Sequence, residues 1–306
     1  MKKARFIFYL LVFTTANLLS QQSDFPKLTG PYLGQTLPGV TPEIFAKDII
    51  SPICPIHGCP VFTPDGKEIY WAPMDGGNCE DKTDEILFMK LINNVWTEPE
   101  VVPFSSTFFD SDDPCISPDG KRIYFNTHRP SGLLSFDFAE KIMYVERVDD
   151  DWSSPQSVGS VVNSLFRHWQ ISVTKNYDLY FHAEKNVEKP GIYVSRYNVG
   201  EYQTPERLPA EINSGNPTMP YIAPDESYLI FVRTMKESGD DLFISYKDSN
   251  GKWTEAKTLG DKINSTYHDL CPNVTPDGKY IFFLSQRDGE SYAYWVDAKI
   301  IEALRH

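Results

Sequence analysis

The sequence predicts an all-β fold: a five-bladed β-propeller of four-stranded antiparallel blades, forming one domain over residues 41–306. Three observations predict it. Apolar and aromatic segments alternate with tight turns throughout this range. A short segment near the N-terminus matches the one outer strand that the last repeat lacks. A turn of the Pro-Asp-Gly type recurs every 49 to 57 residues, a spacing typical of propeller blades, at residues 64, 118, 175, 224 and 276.

The turn joins the first two strands of each repeat. Proline presets φ at the first turn position, aspartate hydrogen-bonds to the nearby backbone, and glycine accepts a positive φ. Complete copies with both flanking strands cover residues 62–71, 116–125 and 274–283. The copies at 173–177 and 222–226 are degenerate, and the first of these has lost both the proline and the glycine.

Two further strands complete each predicted blade. The third strands are expected at residues 85–89, 141–145, 191–195, 241–245 and 291–295. The outer strands begin with an aromatic residue and are expected at 96–99, 152–155, 202–205 and 253–256. The fifth repeat lacks an outer strand, but residues 41–51 align with residues 204–214. The N-terminal strand therefore closes the ring and removes exposed sheet edges, and a short helix follows at 298–305.

The first 20 residues have the pattern of a signal peptide, so we expect a secreted or periplasmic protein. Three basic residues precede an apolar run over residues 6–13, and this run is too short to span a bilayer. Residues 21–40 are expected to be extended. We expect a monomer without membrane insertion. The net charge of −13 disfavours nucleic-acid binding, because phosphate contacts need a basic surface.

The chain has five cysteines, an odd number that leaves at least one thiol unpaired. Cys54 and Cys59 are close enough in the sequence to form a disulfide. A metal site built from cysteines is less well indicated, because no second closely spaced pair exists among Cys79, Cys115 and Cys271.

The pattern Pro-Asp-Gly-Lys-x-Ile-Tyr-Phe at residues 118–125 resembles the TolB-type propeller repeat. The resemblance covers roughly residues 40–300, and the third repeat departs from it. It implies a propeller but leaves the function open, because the same repeat occurs in non-catalytic periplasmic proteins and in oligogalacturonate lyases.

Five histidines occupy equivalent places in the repeats and are our candidate catalytic residues. His57, His168 and His268 precede the first strands of repeats one, three and five. His128 and His182 end the second strands of repeats two and three. The first strand of a blade starts on the face to which the second strand returns. We therefore expect all five histidines on one face, near the axis.

Basic and aromatic residues share the predicted rim and are the candidate substrate-binding residues: Arg129, Lys185, Arg233, Arg287, Arg167, Trp169 and Tyr267. Arginine binds a carboxylate through two parallel hydrogen bonds, and the two aromatic rings are suited to stacking on a sugar. The alternative is structural: the basic residues link neighbouring blades, and the aromatic residues pack.

Carboxylates near the rim leave two further chemistries open. Asp112, Asp113, Glu184 and Asp269 include candidates for the acid pair of a glycosidase, although nothing separates them from turn-forming aspartates. With the histidines they also make a divalent metal possible, although no cofactor is indicated with certainty. Two long loops, 74–81 and 129–138, lie over the same rim.

The function expected from this pattern is β-elimination on uronic-acid-containing oligosaccharides, by a lyase or a dehydratase. A neutral histidine, His168 or His182, would take the proton, and arginines would hold the carboxylate of this anionic substrate. The alternative is a non-catalytic TolB-like propeller that binds a protein or a glycan in the periplasm.

Overall fold

In a computed structural model, the protein forms a ring of five antiparallel β-sheets. Each sheet contains the four strands of one blade, which confirms the predicted five-bladed propeller. The predicted signal peptide and most of both long loops lie outside the described residues. The structure describes residues 25–51, 55–74, 85–105, 109–130, 139–165, 168, 170–184, 186–236 and 239–305.

The strands of each blade follow chain order from the central channel outward. Blade 1 contains Val61–Phe62, Glu68–Trp71, Leu87–Ile92 and Glu100–Val101. Blade 2 contains Ser111–Ile116, Arg122–Thr127, Lys141–Val148 and Gln156–Ser157. Blade 3 contains Ile171–Val173, Leu179–Ala183, Gly191–Ser195 and Glu206–Arg207. Blade 4 contains Pro217–Ile222, Tyr228–Met235, Gly239–Tyr246 and Lys257–Thr258. Blade 5 contains Asp269–Val274, Tyr280–Ser285, Tyr292–Asp297 and, from the N-terminal segment, Glu43–Ile44.

Short additional strands and short helices flank the blades. Further strands form hairpins beside blades 1 to 3 at Val95–Trp96, Asp151–Trp152, Tyr197–Asn198 and Glu201–Tyr202. The short helices span Pro31–Gly34, Lys47–Ile50, Ser160–Asn163, Ala210–Asn213 and Lys299–Ala303. The last of these confirms the predicted C-terminal helix. Among the described residues, no helix combines the length and the apolar character needed to cross a membrane.

The N-terminal strand closes the ring as predicted. Glu43 pairs with Trp295 and Ile44 pairs with Tyr294 in the last blade. The next residue, Phe45, is 1% exposed, and its ring centroid lies 5.1 Å from that of Trp295. The closure therefore combines backbone hydrogen bonds with a buried aromatic contact.

The recurrent turn keeps its conformation even where its sequence has diverged. In the first copy, Asp65 Oδ1 accepts hydrogen bonds from the Thr63 hydroxyl at 2.7 Å and from the Lys67 amide at 3.1 Å. Glycine takes a positive φ in the three complete copies. In the two degenerate copies, Tyr177 and Glu226 adopt φ values of 66° and 60° at the equivalent position. The fold imposes this conformation on residues that rarely adopt it.

The second strand of each blade carries the aromatic core. In blade 2, Tyr124 packs with residues of blade 3 that include Phe181, whereas Phe125 packs with residues of blade 1 that include Tyr70. Adjacent strand residues point to opposite faces of a sheet, so one strand binds both neighbouring blades. Phe125 is fully buried, which contributes about 1.5–3 kcal/mol.

The described cysteines are free thiols, and the pairing considered for Cys54 and Cys59 lies partly outside the described residues. Cys59, Cys115 and Cys271 carry no disulfide, and Cys54 lies outside the described residues. Burial raises the pKa of Cys115 to about 12 and raises that of Cys59 and Cys271 as well. These thiols are therefore protonated at neutral pH and are poor nucleophiles.

Candidate functional site

Five histidines lie at one end of the ring, which we call the histidine face: His57, His128, His168, His182 and His268. Strand direction places them there. The start of a first strand pairs with the end of the second, as Ser111 pairs with Thr127 in blade 2. In blade 5 the Gln286 amide, just after the second strand, donates to the His268 carbonyl.

Three of these histidines, His57, His128 and His268, are partly exposed and lie beside carboxylates. Nδ1 of His57 lies 3.5 Å from Oδ1 of Asp113 and 4.0 Å from Oδ2 of Asp112. Nδ1 of His128 lies 3.5 Å from Oδ2 of Asp110. Asp112 and Asp113 are only 9% and 7% exposed. The first group therefore joins an accessible imidazole to two buried acids.

Two histidines, His168 and His268, contact an acid of the preceding blade. Oε1 of Glu140 lies 3.3 Å from Nδ1 of His168 and accepts a hydrogen bond from the His168 amide. Burial raises the pKa of Glu140, but the hydrogen bonds with His168 outweigh burial and hold this pKa below its ordinary value. Nδ1 of His268 lies 2.8 Å from Oδ2 of Asp240.

The two histidines expected to act as the base are both buried. His168 is 0% exposed, and its ring lies 5.3 Å from that of Phe181. His182 is 5% exposed, within the second strand of blade 3 and opposite Ile192. A general base must reach a proton on bound substrate. Burial of both rings restricts that access.

The arginines expected to hold substrate instead bond to the propeller. Nη2 of Arg287 lies 2.8 Å from Oδ1 of Asp269, which is 0% exposed, and donates to the Ile263 carbonyl. Nη2 of Arg129 donates to the Phe104 carbonyl at 3.1 Å. Both carbonyls belong to the link from the preceding blade. The geometry therefore favours the structural alternative for these residues.

Arg233 follows the same pattern. Its Nη2 donates to the carbonyls of Glu211 and Ile212, at 2.9 and 3.0 Å, and to Oγ of Ser214 at 3.1 Å. These acceptors lie in and just after the helix Ala210–Asn213. Burial lowers the pKa of Arg233. The guanidinium secures the link between blades 3 and 4.

Of the four remaining candidate substrate-binding residues, the structure describes Tyr267. Tyr267 is 53% exposed beside His268. Lys185, Arg167 and Trp169 lie outside the described residues. Of the candidate acids, Asp269 is the partner of Arg287, and Asp112 and Asp113 are grouped with His57.

A repeated asparagine, not singled out in the sequence, hydrogen-bonds three of the inter-blade links to a third strand. Oδ1 of Asn213 accepts the Ile192 amide at 2.8 Å, and Nδ2 donates to the Ile192 carbonyl at 2.9 Å. Asn163 and Asn264 make the same pair of bonds in blades 2 and 4. The signal was present as an apolar-Asn-Ser triplet at residues 162–164, 212–214 and 263–265, spaced by about one blade.

The central channel narrows to a cavity of about 130 Å³ lined by the first strands of all five blades. Five residues lie at equivalent positions in or just before these strands, each five before the first turn position: Cys59, Asp113, Gln170, Met219 and Cys271. Three of them make contacts between blades. Nε2 of Gln170 donates to the Pro272 carbonyl at 2.6 Å, and Sγ of Cys271 lies 3.6 Å from Sδ of Met219. Asp113 is the acid of this ring and also faces His57.

Comparison with known proteins shows the fold. No family model and no curated protein match the sequence. TolB from Acinetobacter baumannii matches with a TM-score of 0.54 and 17% identity, over 80% of this chain and 52% of TolB. The chain thus spans about half the length of that protein. A putative TolB from Agrobacterium tumefaciens matches with a TM-score of 0.51 and 18% identity, over 74% of this chain and 69% of the other.

These matches support a TolB-type propeller, as the repeat indicated. They give no support to the link with oligogalacturonate lyases. At such identities they speak for the fold alone, because one fold serves many functions.

Proposed function

We propose that the chain is a non-catalytic, TolB-like binding propeller whose histidine face docks a protein partner through a basic segment of that partner. One observation carries the proposal. Arg129, Arg233 and Arg287, expected to hold a substrate carboxylate, all bond to the propeller's own backbone or acids. β-Elimination needs cations that neutralise the substrate carboxylate as charge develops. Here the guanidinium groups serve contacts between blades.

The charge of the histidine face supports a basic partner. Asp110, Asp112, Asp113, Glu140 and Asp240 all lie beside its histidines. These five carboxylates outnumber Arg129, Lys141 and Arg233, which donate to backbone carbonyls at the same end, so we infer an acidic face, in keeping with the net charge of −13. Acidic surfaces attract cationic partners and repel anionic ones. An anionic oligosaccharide is therefore the less suitable ligand.

Exposed side chains at the edge of blades 4 and 5 suit a protein rather than a glycan. Tyr267 is 53% exposed and Met235 is 41% exposed. Met235 pairs with Gly239, where an added Cβ would lie 3.4 Å from the His268 ring and 3.5 Å from the Tyr267 carbonyl. The two exposed side chains thus share one edge. Tyrosine and methionine are enriched in protein interfaces.

The start of the sequence supports a periplasmic location for this binding. A basic region precedes the apolar run of residues 6–13, as in export signals. The partner would then be a periplasmic protein or the periplasmic part of a membrane protein.

Site-specific photo-cross-linking tests the proposal. A photoreactive amino acid replaces Tyr267 in the full chain in the native organism, and a second version carries it at Val199, which is 94% exposed in a hairpin beside blade 3. We expect one dominant protein adduct from the first position only. The purified partner should then bind Tyr267→Ala about tenfold more weakly than wild type, and Val199→Ala with unchanged affinity.

An enzymatic assay provides the opposing outcome. The wild-type chain is incubated with oligogalacturonate, and the absorbance of unsaturated uronate is followed. Growth of this absorbance in wild type, with its loss in His168→Ala or His182→Ala, would overturn the binding proposal and support a lyase.

A further inference from the structure

We propose that His57, Asp112 and Asp113 form a binding site for one first-row divalent metal ion of the Mn²⁺ or Zn²⁺ type. The site lies where blades 1 and 2 meet on the histidine face. One ligand atom from each of the three residues lies within 4.8 Å of the other two. Imidazole and carboxylate together suit first-row divalent ions, whereas Mg²⁺ and Ca²⁺ favour oxygen alone.

The spacing of the ligand atoms fits such an ion. Ligands at about 2.1 Å from a shared metal lie about 3.0–3.4 Å apart in octahedral or tetrahedral geometry. Nδ1 of His57 already lies 3.5 Å from Oδ1 of Asp113. Oδ2 of Asp112 lies 4.0 Å from the same nitrogen, about 0.6 Å beyond that range, and the three ligand atoms all lie within 4.8 Å of one another. Side-chain rotations that draw these atoms together would complete a three-ligand set.

Burial of the acids gives the ion an electrostatic role. Asp112 and Asp113 are adjacent in sequence and less than a tenth exposed. Two carboxylates held this close together attract a divalent cation more strongly than a single carboxylate does. The His57 side chain is 29% exposed whereas its Nδ1 atom is buried, so the site lies just beneath the surface of the histidine face.

A second layer of contacts orients Asp113 for this task. Nδ2 of Asn126 donates to Oδ2 of Asp113 at 3.4 Å and to the His168 carbonyl at 2.8 Å. This leaves Oδ1 directed at His57. Outer contacts of this kind commonly fix the orientation of metal-ligating carboxylates.

Gly58 provides the space for the approach. An added Cβ at Gly58 would lie only 2.5 Å from Oδ1 of Asp113. Any side chain at this position would push the carboxylate away from His57, one residue earlier. The glycine thus keeps open the volume in which the imidazole and the carboxylate converge.

Asp112 and Asp113 also contribute to the charge of the histidine face, but the exposed docking residues Met235 and Tyr267 lie at blades 4 and 5. The two proposals have separate tests, because ion binding is measured without a partner and cross-linking is measured at Tyr267. A bound ion with open coordination positions would also give this face a means of holding a ligand with oxygen or nitrogen donors.

Titration with Mn²⁺ tests the site. The purified full chain is stripped with a chelator and titrated with Mn²⁺, while electron paramagnetic resonance reports the free ion. Thiols are poor ligands for Mn²⁺, so the buried cysteines do not interfere. We expect one Mn²⁺ per chain, displaced by Zn²⁺. Replacements His57→Ala and Asp113→Asn should each weaken binding at least about tenfold.

His128→Ala is the matched control, because His128 lies beside a single carboxylate at the same 3.5 Å separation. It should bind Mn²⁺ as wild type does. Asn tolerates the left-handed backbone of Asp113, whose φ is 47°, and His57→Ala keeps the test valid if Asp113→Asn does not fold. Two results would overturn the proposal. The first is that wild type binds several Mn²⁺ ions weakly and none tightly. The second is that wild type and both site variants bind Mn²⁺ equally well.

Discussion

Replacing Arg287 by methionine tests whether the rim arginines are structural parts or ligand-binding groups. In the structure, Nη2 of Arg287 lies 2.8 Å from Oδ1 of Asp269, and Nε lies 2.8 Å from Oγ of Ser285. Asp269 is fully buried, and the Arg287 side chain is 20% exposed. Methionine keeps the apolar stem over Phe283 but removes the charge that Asp269 requires.

The expected cost follows from this burial. Removing one partner of a buried ion pair costs about 3–5 kcal/mol, because the other charge stays buried without compensation. The partial exposure of the Arg287 side chain places the expected loss near the lower limit, at about 3 kcal/mol. Arg305→Met is the control: Arg305 pairs with Glu302, whose side chain is 69% exposed, so the loss should be about 0–1 kcal/mol.

Urea denaturation followed by circular dichroism measures both losses. Adding Asp269→Asn to Arg287→Met should recover about 1 kcal/mol or more, because it removes the stranded charge. The reasoning is refuted if Arg287→Met unfolds at the wild-type urea concentration. Such a result would mean that the guanidinium contributes nothing to the fold, which would return Arg287 to the candidates for ligand binding.

Three further predictions concern the ring as a whole. Asn213→Ala should destabilise the protein by about 2–4 kcal/mol, since the Ile192 amide and carbonyl both lose their buried partner. The control Asn198→Ala, in an exposed hairpin, should change stability by less than about 0.5 kcal/mol. Chemical denaturation measures both variants. Burial raises the pKa of Glu226, but hydrogen bonds from a lysine, a tyrosine and an arginine hold it below its ordinary value of 4.5. The contribution of the Glu226 carboxylate to the free energy of unfolding is therefore complete above pH 4.5 and is lost as the pH falls through the folded pKa. Glu226→Gln should make the free energy of unfolding fall less steeply between pH 4.5 and lower pH. An unchanged pH dependence in this variant would contradict the prediction. Phe45→Ala should lower the free energy of unfolding by about 3–5 kcal/mol, because it removes the aromatic contact that closes the ring. Thermal unfolding measures this loss, and an unchanged transition temperature would contradict it.

The sequence predicted most of the architecture because a propeller repeats one local unit. Turn chemistry near Pro64 and its equivalents sets the start of every second strand, and strand alternation then sets which residues are buried. The fifth repeat has no outer strand after Val296, and the N-terminal segment was predicted to supply it. The pairing of Ile44 with Tyr294 confirms this prediction. Even the degenerate turn at Tyr177 kept its backbone conformation.

The end of the ring on which each histidine lies was also decided by the sequence. Position within a repeat determines whether a residue falls at the start or at the end of a strand. His57 and His268 precede first strands and His128 ends a second strand, and the structure places them at the same end.

The partners of these residues were decided only by the tertiary structure. His168 meets Glu140 and Arg129 meets the carbonyl of Phe104, 28 and 25 residues away, and His57 meets acids of the next blade. Repeat periodicity describes one blade at a time and carries no information on the spacing between blades. That spacing depends on sheet twist and on how the aromatic side chains fill the gaps, so only the closed ring could show that the rim cations already had partners within the protein.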